Sequence, residues 1–230
     1  MSTALPADLE ARLLEWIPEA ERKGGHHLNS GYQGRVLFYE QDGVRLAIKI
    51  PSYSGVFRWI TVRMLRHEAR AYEHLAGLEG IPRSYGMIGR CYLVLEYIEG
   101  ENLREARLSD PADFYGRLLG LIRRMHARGI AHADLKRRDN IMVGPDNQPW
   151  LLDFGVACVR RRGMHPVNHW LFNVARQFDL NAWVKHKYRR RLDQASVADR
   201  RYLRRTWIEK VASALKSAWQ DGLKRLGLRS

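Results

Sequence analysis

The sequence predicts an α+β protein of two lobes, with a β-rich first third and a helical remainder. Residues 28–50 and 91–98 have the apolar patterns typical of strands. One helical pattern, at residues 62–76, lies between these strands, and the chain from Pro111 onwards is mostly helical. At 230 residues and 45% hydrophobic content, the chain is long enough to bury a core. A functional site is therefore expected between the lobes.

The N-lobe is predicted at residues 1–99 and begins with a short helix at residues 8–17. Asp8 is its predicted N-cap, and Pro18 is expected to end it because proline disrupts a helix interior. The apolar stripe of this helix comprises Leu9, Leu13, Trp16 and Ile17.

Two strands joined by an Asp-Gly turn follow the first helix. The strand-like segments are residues 35–39 and 44–50, and Asp42-Gly43 between them favours a tight hairpin turn. The helix at residues 62–76 comes next. The last strand ends at Glu99, where the C-lobe, residues 100–230, is predicted to begin.

Two features of the N-lobe suit phosphate binding. Gly31 and Gly34 lie in a turn between strands, where glycines let the backbone approach phosphate oxygens, although an ordinary hairpin turn would have the same composition. Lys49 lies inside an apolar strand, where a buried ammonium needs a partner, and Glu68 on the next helix is placed to supply it. An exposed lysine on an edge strand would fit the same pattern.

The most informative segment is His132-Ala133-Asp134-Leu135-Lys136-Arg137-Arg138-Asp139-Asn140, which Asp153-Phe154-Gly155 follows. Amide and carboxylate oxygens such as those of Asn140 and Asp153 suit Mg²⁺, which is shared with substrate phosphates. An aspartate beside a lysine, as in Asp134 and Lys136, suits the orientation of a hydroxyl nucleophile next to a γ-phosphate. The order and spacing of these elements argue against an ordinary acidic surface loop.

Together these segments resemble the protein-kinase signature of a glycine-rich loop, a strand lysine, a helix glutamate, a catalytic loop and Asp-Phe-Gly. The resemblance covers about residues 28–180. It implies a two-lobed protein-kinase-like fold with a β-rich N-lobe and a helical C-lobe. It also implies that the protein uses ATP and Mg²⁺ to transfer a γ-phosphoryl group to a hydroxyl.

The resemblance assigns a catalytic role to four of the matching residues. Lys49 would hold the α- and β-phosphates, and Glu68 would pair with it. Asp134 would orient the acceptor hydroxyl and accept its proton, and Lys136 would steady the γ-phosphate.

The resemblance also implies sites for the metal and the nucleotide. Asn140 and Asp153 would bind Mg²⁺, and residues 96–98 would form the hinge whose backbone meets adenine. His132 would brace the catalytic loop, and Asp179 is the candidate for the helix aspartate that holds the loop backbone. The residues predicted to contact the nucleotide are Gly31, Gly34, Val36, Lys49, Glu96 and Ile98.

Four departures from the protein-kinase pattern indicate an atypical branch with a curtailed C-lobe. Asn29 stands where the first loop glycine is expected, and no Ala-Pro-Glu follows Asp-Phe-Gly. The catalytic loop is one residue longer than the pattern, so Asp139 is a second candidate for the metal role of Asn140. Ala133 replaces the arginine that, in the family, binds a phosphorylated activation loop.

The small size and these departures resemble the bacterial kinases of the lipopolysaccharide-core (Kdo/heptose) type, and RIO-type kinases are similar in the same respects. The preferred acceptor is therefore a sugar hydroxyl on an anionic glycolipid such as lipopolysaccharide core. One alternative is an atypical, RIO-like protein Ser/Thr kinase. A second is a pseudokinase scaffold, against which Lys49, Asp134, Asn140 and Asp153 argue because all four are present.

The positive charge of the chain lies mostly in its last third. From Val156 onwards there are 18 Lys/Arg and 5 Asp/Glu, which accounts for +13 of the net charge of +14. Such a field attracts anionic lipid, phosphates or nucleic acid, although a solvated basic face is the alternative. A membrane surface is the preferred partner, a protein substrate remains open, nucleic acid is less favoured, and the oligomeric state is not predicted.

The remaining features predict a cytoplasmic protein, with peripheral contact at the inner face of the membrane. Cys91 and Cys158 lie in apolar runs and are expected to be reduced thiols. The first ten residues lack the pattern of a signal peptide. No segment approaches the roughly 18 apolar residues that a transmembrane helix requires.

Overall fold

The computed structural model describes residues 5–23, 27–31, 34–51, 56–189 and 191–204. A five-stranded antiparallel sheet with the strand order β1-β2-β3-β5-β4 forms the centre of the N-lobe. Two helices accompany it. The elements are α1 (Ala7–Lys23), β1 (His27–Gly31), β2 (Gly34–Gln41), β3 (Val44–Ile50), α2 (Val56–His74), β4 (Ser84–Ile88) and β5 (Tyr92–Glu96).

The C-lobe is built on two long helices that pack against each other, with short strands at the side that faces the N-lobe. Strands β6, β8 and β9 form one small sheet, and β7 pairs with β10. The elements are β6 (Glu101–Asn102), α3 (Pro111–Ala127), β7 (Ile130–Ala131), β8 (Ile141–Val143), β9 (Pro149–Leu151), β10 (Cys158–Val159), α4 (Pro166–Lys187) and α5 (Val197–Arg200). The predicted fold class, α+β with two lobes, is confirmed.

The hairpin predicted around Asp42-Gly43 is present. Both residues have positive φ angles, 52° and 76°, as a two-residue type I′ turn requires. Strands β2 and β3 pair in continuous register from Arg35 opposite Ile50 to Gln41 opposite Val44. This register places Lys49 opposite Val36, so two of the predicted nucleotide-site residues are neighbours on the sheet.

Helix α1 differs from its prediction at both ends. It begins at Ala7, so Asp8 lies in its first turn, and it continues through Pro18 to Lys23. Leu13 and Ile17 before the proline and Ala20 after it are all buried. An internal proline costs about 3 kcal/mol, and burial of a Leu or Ile side chain contributes about 1.5–3 kcal/mol each. Packing of the apolar stripe on the sheet therefore outweighs the local penalty.

The largest buried cluster crosses from the N-lobe to the C-lobe. It joins Tyr72 of α2 to Leu118 of α3, Trp183 of α4 and Phe154 after β9. This shared core fixes α2 relative to the loops of the C-lobe and so positions the site. The division between the lobes at Glu99 stays a prediction.

Part of the basic C-terminal third lies outside the described residues. These residues are Arg190 and residues 205–230, which include Trp207, Val211, Leu215 and Trp219 at helical spacing in the sequence. Within the described part of the chain, no helix has the length and apolar character needed to cross a membrane. Cys91 and Cys158 are not joined in a disulfide, and both are partly exposed.

Candidate functional site

Three charged side chains meet between the lobes. The Lys49 ammonium on β3 lies 2.6 Å from Oε1 of Glu68 on α2 and 3.2 Å from Oδ1 of Asp153 after β9. The side chain of Glu68 is only 3% exposed, and those of Lys49 and Asp153 are 17% and 21% exposed. The predicted contact between Lys49 and Glu68 is therefore confirmed, and Asp153 is brought to the same ammonium.

The pKa values of these groups follow from burial and from each other's charge. Burial opposes the charged form of Lys49, but Glu68 and Asp153 outweigh it and raise the pKa of the ammonium. Burial also opposes ionisation of Asp153, but the positive charge of Lys49 outweighs it and lowers the pKa of that carboxyl. Burial raises the pKa of Glu68, against the attraction of Lys49. Lys49 and Asp153 are consequently charged at neutral pH.

The loop after β9 is held by packing and by hydrogen bonds from its backbone. Asp153 has a positive φ of 65°, and Phe154 is fully buried against the rings of Tyr72 and His132, with centroids 5.0 and 4.8 Å away. The amide of Phe154 donates to Oε1 of Glu68 at 3.2 Å. The loop that presents the Asp153 carboxylate is therefore fixed to α2.

Asp179 on α4 holds the backbone of the candidate catalytic loop, residues 132–140. Its carboxylate accepts hydrogen bonds from the amides of His132 and Ala133, both at 2.8 Å, and from Nε2 of His126 at 2.9 Å. The carboxylate is completely buried, so these three donors replace its hydration. Ala133 has a positive φ of 67°, which this anchoring maintains. The predicted contact between Asp179 and the loop is confirmed.

His132 links the catalytic loop to the end of β9. Its Nε2 donates to the carbonyl oxygen of Leu152 at 2.8 Å, and its Nδ1 accepts from the amide of Asp134 at 3.4 Å. Because a carbonyl can only accept, this geometry assigns the proton to Nε2 of a neutral ring. His132 thus braces the loop, as the resemblance implied.

Asp134 and Asn140 lie at the two ends of the catalytic loop. The Asp134 side chain is 13% exposed, and its Oδ1 lies 3.8 Å from the ammonium of Lys136, which is 81% exposed. Nδ2 of Asn140 donates to the Asp134 carbonyl at 3.1 Å. The Asn140 carbonyl accepts from the amide of Leu152 at 2.9 Å, so Asn140 lies beside the residue that precedes Asp153.

This arrangement fits a Mg²⁺ ion. The amide nitrogen of Asn140 is used by the loop, which leaves the amide oxygen as its ligand atom, and Asp153 supplies a carboxylate. Two oxygen ligands of this kind, together with phosphate oxygens, are typical for protein-bound Mg²⁺. The other candidate, Asp139, forms an ion pair with Arg104 at 2.9 Å. The metal roles of Asn140 and Asp139 stay predictions.

A cleft of about 330 Å³ opens beside Lys49. The predicted residues Val36, Glu96 and Ile98 line it together with Lys49, and apolar side chains complete it: Ala47, Leu95, Met142 and Leu152. This size and this mixture of apolar walls with a few polar groups are typical of small-molecule sites. The cleft is therefore the candidate nucleotide site.

Glycines occur in the predicted glycine turn and beside the hinge, but among the described residues only Gly100 of these lines the cleft. Gly31 and Gly34 are paired at the ends of β1 and β2, as the predicted glycine turn requires, and Tyr32 and Gln33 between them lie outside the described residues. At the hinge, Gly100 has a φ of 151°, and a Cβ there would collide with the carbonyl oxygen of Val143. Only glycine allows the hinge to pass so close to β8.

Tyr72 is a site residue that the sequence did not reveal. Its hydroxyl accepts a hydrogen bond from the amide of Asp153 at 3.3 Å, and its ring lines the nucleotide cleft. Burial, followed by the charges of Glu68 and Asp153, raises the pKa of its hydroxyl well above the ordinary value. The sequence showed Tyr72 only as an apolar helix position, but its place four residues after Glu68 puts both on one face.

Comparisons with known proteins identify kinases. No family model matches the chain. The Aurora kinase of Candida albicans is 34% identical in an alignment of 143 positions that covers 57% of this chain and 27% of that protein. Serine/threonine-protein kinase D of Synechocystis sp. is 33% identical in an alignment of 102 positions that covers 41% of this chain and 20% of that protein. The chain spans between 20% and 38% of the length of such curated relatives.

A solved structure of similar shape is the Rio2 kinase of Chaetomium thermophilum in its complex with ADP, Mg²⁺ and phosphoaspartate. The TM-score is 0.54 at 20% sequence identity, and the match covers 79% of this chain and 61% of the other. At this identity the likeness concerns the fold. The chain has the two-lobed fold of the protein-kinase-like superfamily.

Proposed function

We propose that this chain, with its protein-kinase-like fold, transfers the γ-phosphoryl group of ATP to an acceptor hydroxyl. The observation that carries the proposal is the meeting of Lys49, Glu68 and Asp153 at one end of a cleft of nucleotide size. A buried lysine with two carboxylate partners is often no more stabilising than apolar side chains of the same volume. Stability alone therefore does not explain this cluster, and a functional role does. The kinase names of the relatives support the same activity.

The nucleotide would lie with its base between Ala47 and Met142, which line the cleft from the N-lobe and the C-lobe. Lys49 would then donate to phosphate oxygens, and Glu68 would keep the ammonium in place because its own position is fixed by the Phe154 amide. Asn140 and Asp153 are the residues that would hold Mg²⁺. The ion would supply positive charge at the phosphates.

Asp134 is placed to orient the acceptor and to receive its proton. As the acceptor oxygen bonds to the γ-phosphorus, the bond from that phosphorus to the β,γ-bridging oxygen breaks and ADP leaves. The hydroxyl proton passes to the Asp134 carboxylate. Lys136, at 3.8 Å from that carboxylate and largely exposed, is free to turn towards the transferred group.

We further propose that the acceptor hydroxyl belongs to an anionic glycolipid at a membrane surface. The support is electrostatic: the last third of the chain has a net charge of +13, and Arg189 and Arg191 are exposed. The second candidate is a protein hydroxyl. The relatives favour it, because one of them is named a serine/threonine-protein kinase.

The test is the incubation of the protein with γ-labelled ATP and Mg²⁺, with a membrane glycolipid fraction and a soluble protein fraction compared for label. We expect label in the glycolipid fraction, and no label in any fraction with Asp153→Ala. Circular dichroism of Asp153→Ala provides the control that this variant folds. Label confined to protein would replace the first acceptor with the second. Turnover by Asp153→Ala at the wild-type rate would refute the assignment of the site.

A further inference from the structure

A second cavity lies between the catalytic loop and α4, apart from the nucleotide cleft. Its volume is about 360 Å³, within the range of roughly 300–1,000 Å³ that is typical of small-molecule sites. We call it the basic pocket, because its charged lining residues are all basic: Arg104, Lys136, Arg137, Arg138 and Lys185.

Part of this positive charge, that of Arg137 and Arg138, lacks a compensating carboxylate within the described residues. Arg104 pairs with Asp139, and Lys136 lies 3.8 Å from Asp134. Within the described residues, no ion pair and no side-chain hydrogen bond engages the guanidinium of Arg137 or Arg138, although both residues are only partly exposed. Like charges held together in a partly enclosed cavity repel one another, and an anion would relieve that repulsion.

The basic pocket is directly connected to the candidate catalytic residues. Lys136 lines the pocket and also contacts the Asp134 carboxylate, and the amide of Arg137 donates to the Asp134 carbonyl at 3.2 Å. Arg137 and Arg138 belong to the loop between Asp134 and Asn140, which is one residue longer than in the protein-kinase pattern. A molecule in the pocket therefore lies next to the group that would receive the hydroxyl proton.

We propose that the basic pocket binds a phosphate group of the acceptor, so that the acceptor is a sugar already phosphorylated near the hydroxyl that reacts. The guanidinium groups of Arg137 and Arg138 have the planar forks that bind phosphate oxygens in pairs, and Lys185 adds a third cation from α4. This inference rests on the proposed function, because Asp134 is the residue that defines the reacting end of the acceptor.

The experiment is calorimetric titration of the protein, saturated with ADP and Mg²⁺, with glucose 6-phosphate and with glucose. The two probes differ only in the phosphate group, and ADP blocks the nucleotide cleft. We expect glucose 6-phosphate to bind and glucose not to bind. Because a hydrogen bond to a charged group contributes about 1.5–3 kcal/mol, the double variant R137Q/R138Q should bind the phosphate sugar about 10- to 100-fold more weakly.

Two further variants separate charge from folding. R137K/R138K keeps the charge without the fork and should have intermediate affinity. R124Q removes an exposed arginine from α3, outside the pocket, and should bind like the wild type. Equal binding of glucose, absence of binding by the wild type, displacement of the phosphate sugar by ADP, or an equal loss with R124Q would overturn the proposal.

The same titrations keep this proposal apart from the proposed function. Failure of ADP to bind, with the phosphate sugar still bound, would refute the nucleotide site and leave the basic pocket supported. The source of the phosphate follows from competition with vesicles of phosphatidylcholine with and without phosphatidic acid. Displacement of glucose 6-phosphate only by the vesicles that contain phosphatidic acid assigns a lipid-borne phosphate, and lack of displacement assigns a soluble one.

Discussion

The nucleotide cleft and the basic pocket contain positive charge in two different states. In the cleft, Lys49 is neutralised by Glu68 and Asp153 at hydrogen-bond distance. In the pocket, Arg137 and Arg138 have no ion pair within the described residues, although the candidate catalytic loop supplies both. The lysine of the cleft has its counter-charges in the protein, whereas these two arginines of the pocket have none among the described residues.

The difference follows from burial. Glu68 is almost entirely buried, and a charge in such a place is stable only beside an opposite charge or a set of hydrogen bonds. Arg137 and Arg138 remain partly hydrated, so the fold tolerates them unpaired. A compensated cation therefore serves the stability and the geometry of the site, whereas uncompensated cations are available to an anionic ligand.

The largest effect is expected from the replacement of Lys49 in the nucleotide cleft. Lys49→Met should abolish turnover because phosphate positioning is lost, and it should lower the free energy of unfolding by about 3–5 kcal/mol because Glu68 is left buried and unpaired. The double variant Lys49→Met/Glu68→Gln should recover much of that stability and none of the turnover. Urea unfolding and a coupled ADP assay measure the two quantities. A double variant as unstable as the single one would show that the pair is not what stabilises this region.

Replacement of Asp134 tests the point at which the nucleotide cleft and the basic pocket meet. Asp134→Asn should lower kcat by about 10²–10⁴-fold, as expected for a general base, with ATP affinity nearly unchanged. Steady-state kinetics and nucleotide binding by fluorescence measure these effects. Loss of ATP affinity together with kcat would assign Asp134 a structural role instead.

Asp139→Asn is the matched control, because Asp139 is an aspartate of the same loop, five residues after Asp134. It also tests which of Asp139 and Asn140 has the metal role. Asp139 pairs with Arg104, so its replacement should change the rate far less than that of Asn140→Ala. Equal losses in these two variants, measured as a function of Mg²⁺ concentration, would show that Asp139 shares the metal role.

Lys187, two residues after the pocket residue Lys185, provides a compensated cation outside the cleft. Its ammonium lies 2.6 Å from Oδ2 of Asp199, which also accepts from the Tyr188 hydroxyl at 2.6 Å. Burial opposes ionisation of Asp199, but these two donors outweigh it and lower the pKa of the carboxyl. The stabilisation is therefore complete above the ordinary pKa of 3.8 and is lost as the pH falls through the lower folded-state value.

Asp199→Asn should accordingly lower the free energy of unfolding at pH 7 by about 1.5–3 kcal/mol. The difference from the wild type should shrink as the pH falls below the ordinary pKa of an aspartate. Asp193→Asn, at an exposed position nearby, should change the stability little at either pH. Unfolding in urea at several pH values measures all three proteins, and a difference that does not change with pH would contradict the assignment.

The smallest expected effect concerns the exposed arginines after α4. Arg189→Gln/Arg191→Gln should weaken binding to phosphatidylglycerol vesicles by about 1 kcal/mol for each arginine. Raised salt should weaken the binding of the wild type as well, because the Debye length is about 8–10 Å near physiological ionic strength. Arg22→Gln/Arg70→Gln, with two exposed arginines of the N-lobe replaced, is the matched control.

Vesicle sedimentation measures this binding, with phosphatidylcholine vesicles as the uncharged comparison. Arg200 is left unchanged, because its guanidinium donates to the carbonyls of Ala195 and Asp193 and so holds local structure. Equal binding to both kinds of vesicle, or salt-sensitive binding to RNA without binding to vesicles, would contradict the membrane acceptor.

The sequence by itself determined the features that depend on local chemistry. The Asp42-Gly43 turn needs positive φ angles that these two residues accept, and the apolar spacing of α2 and α3 needs only helical periodicity. The order of the motifs also indicated that Lys49 and Glu68 pair, because a charged residue in an apolar strand requires a partner. Each of these predictions depends on a few neighbouring residues or on one simple pairing rule.

Only the tertiary structure decided the features that depend on contacts between distant segments. The continuation of α1 through Pro18 depends on burial against the sheet, which local helix signals do not contain. The Tyr72 hydroxyl meets the Asp153 amide across 81 residues of sequence. The basic pocket depends likewise on the packing of α4 against the catalytic loop. The sequence does not show which arginines have a carboxylate partner. That depends on the position of the nearest carboxylate in the folded protein.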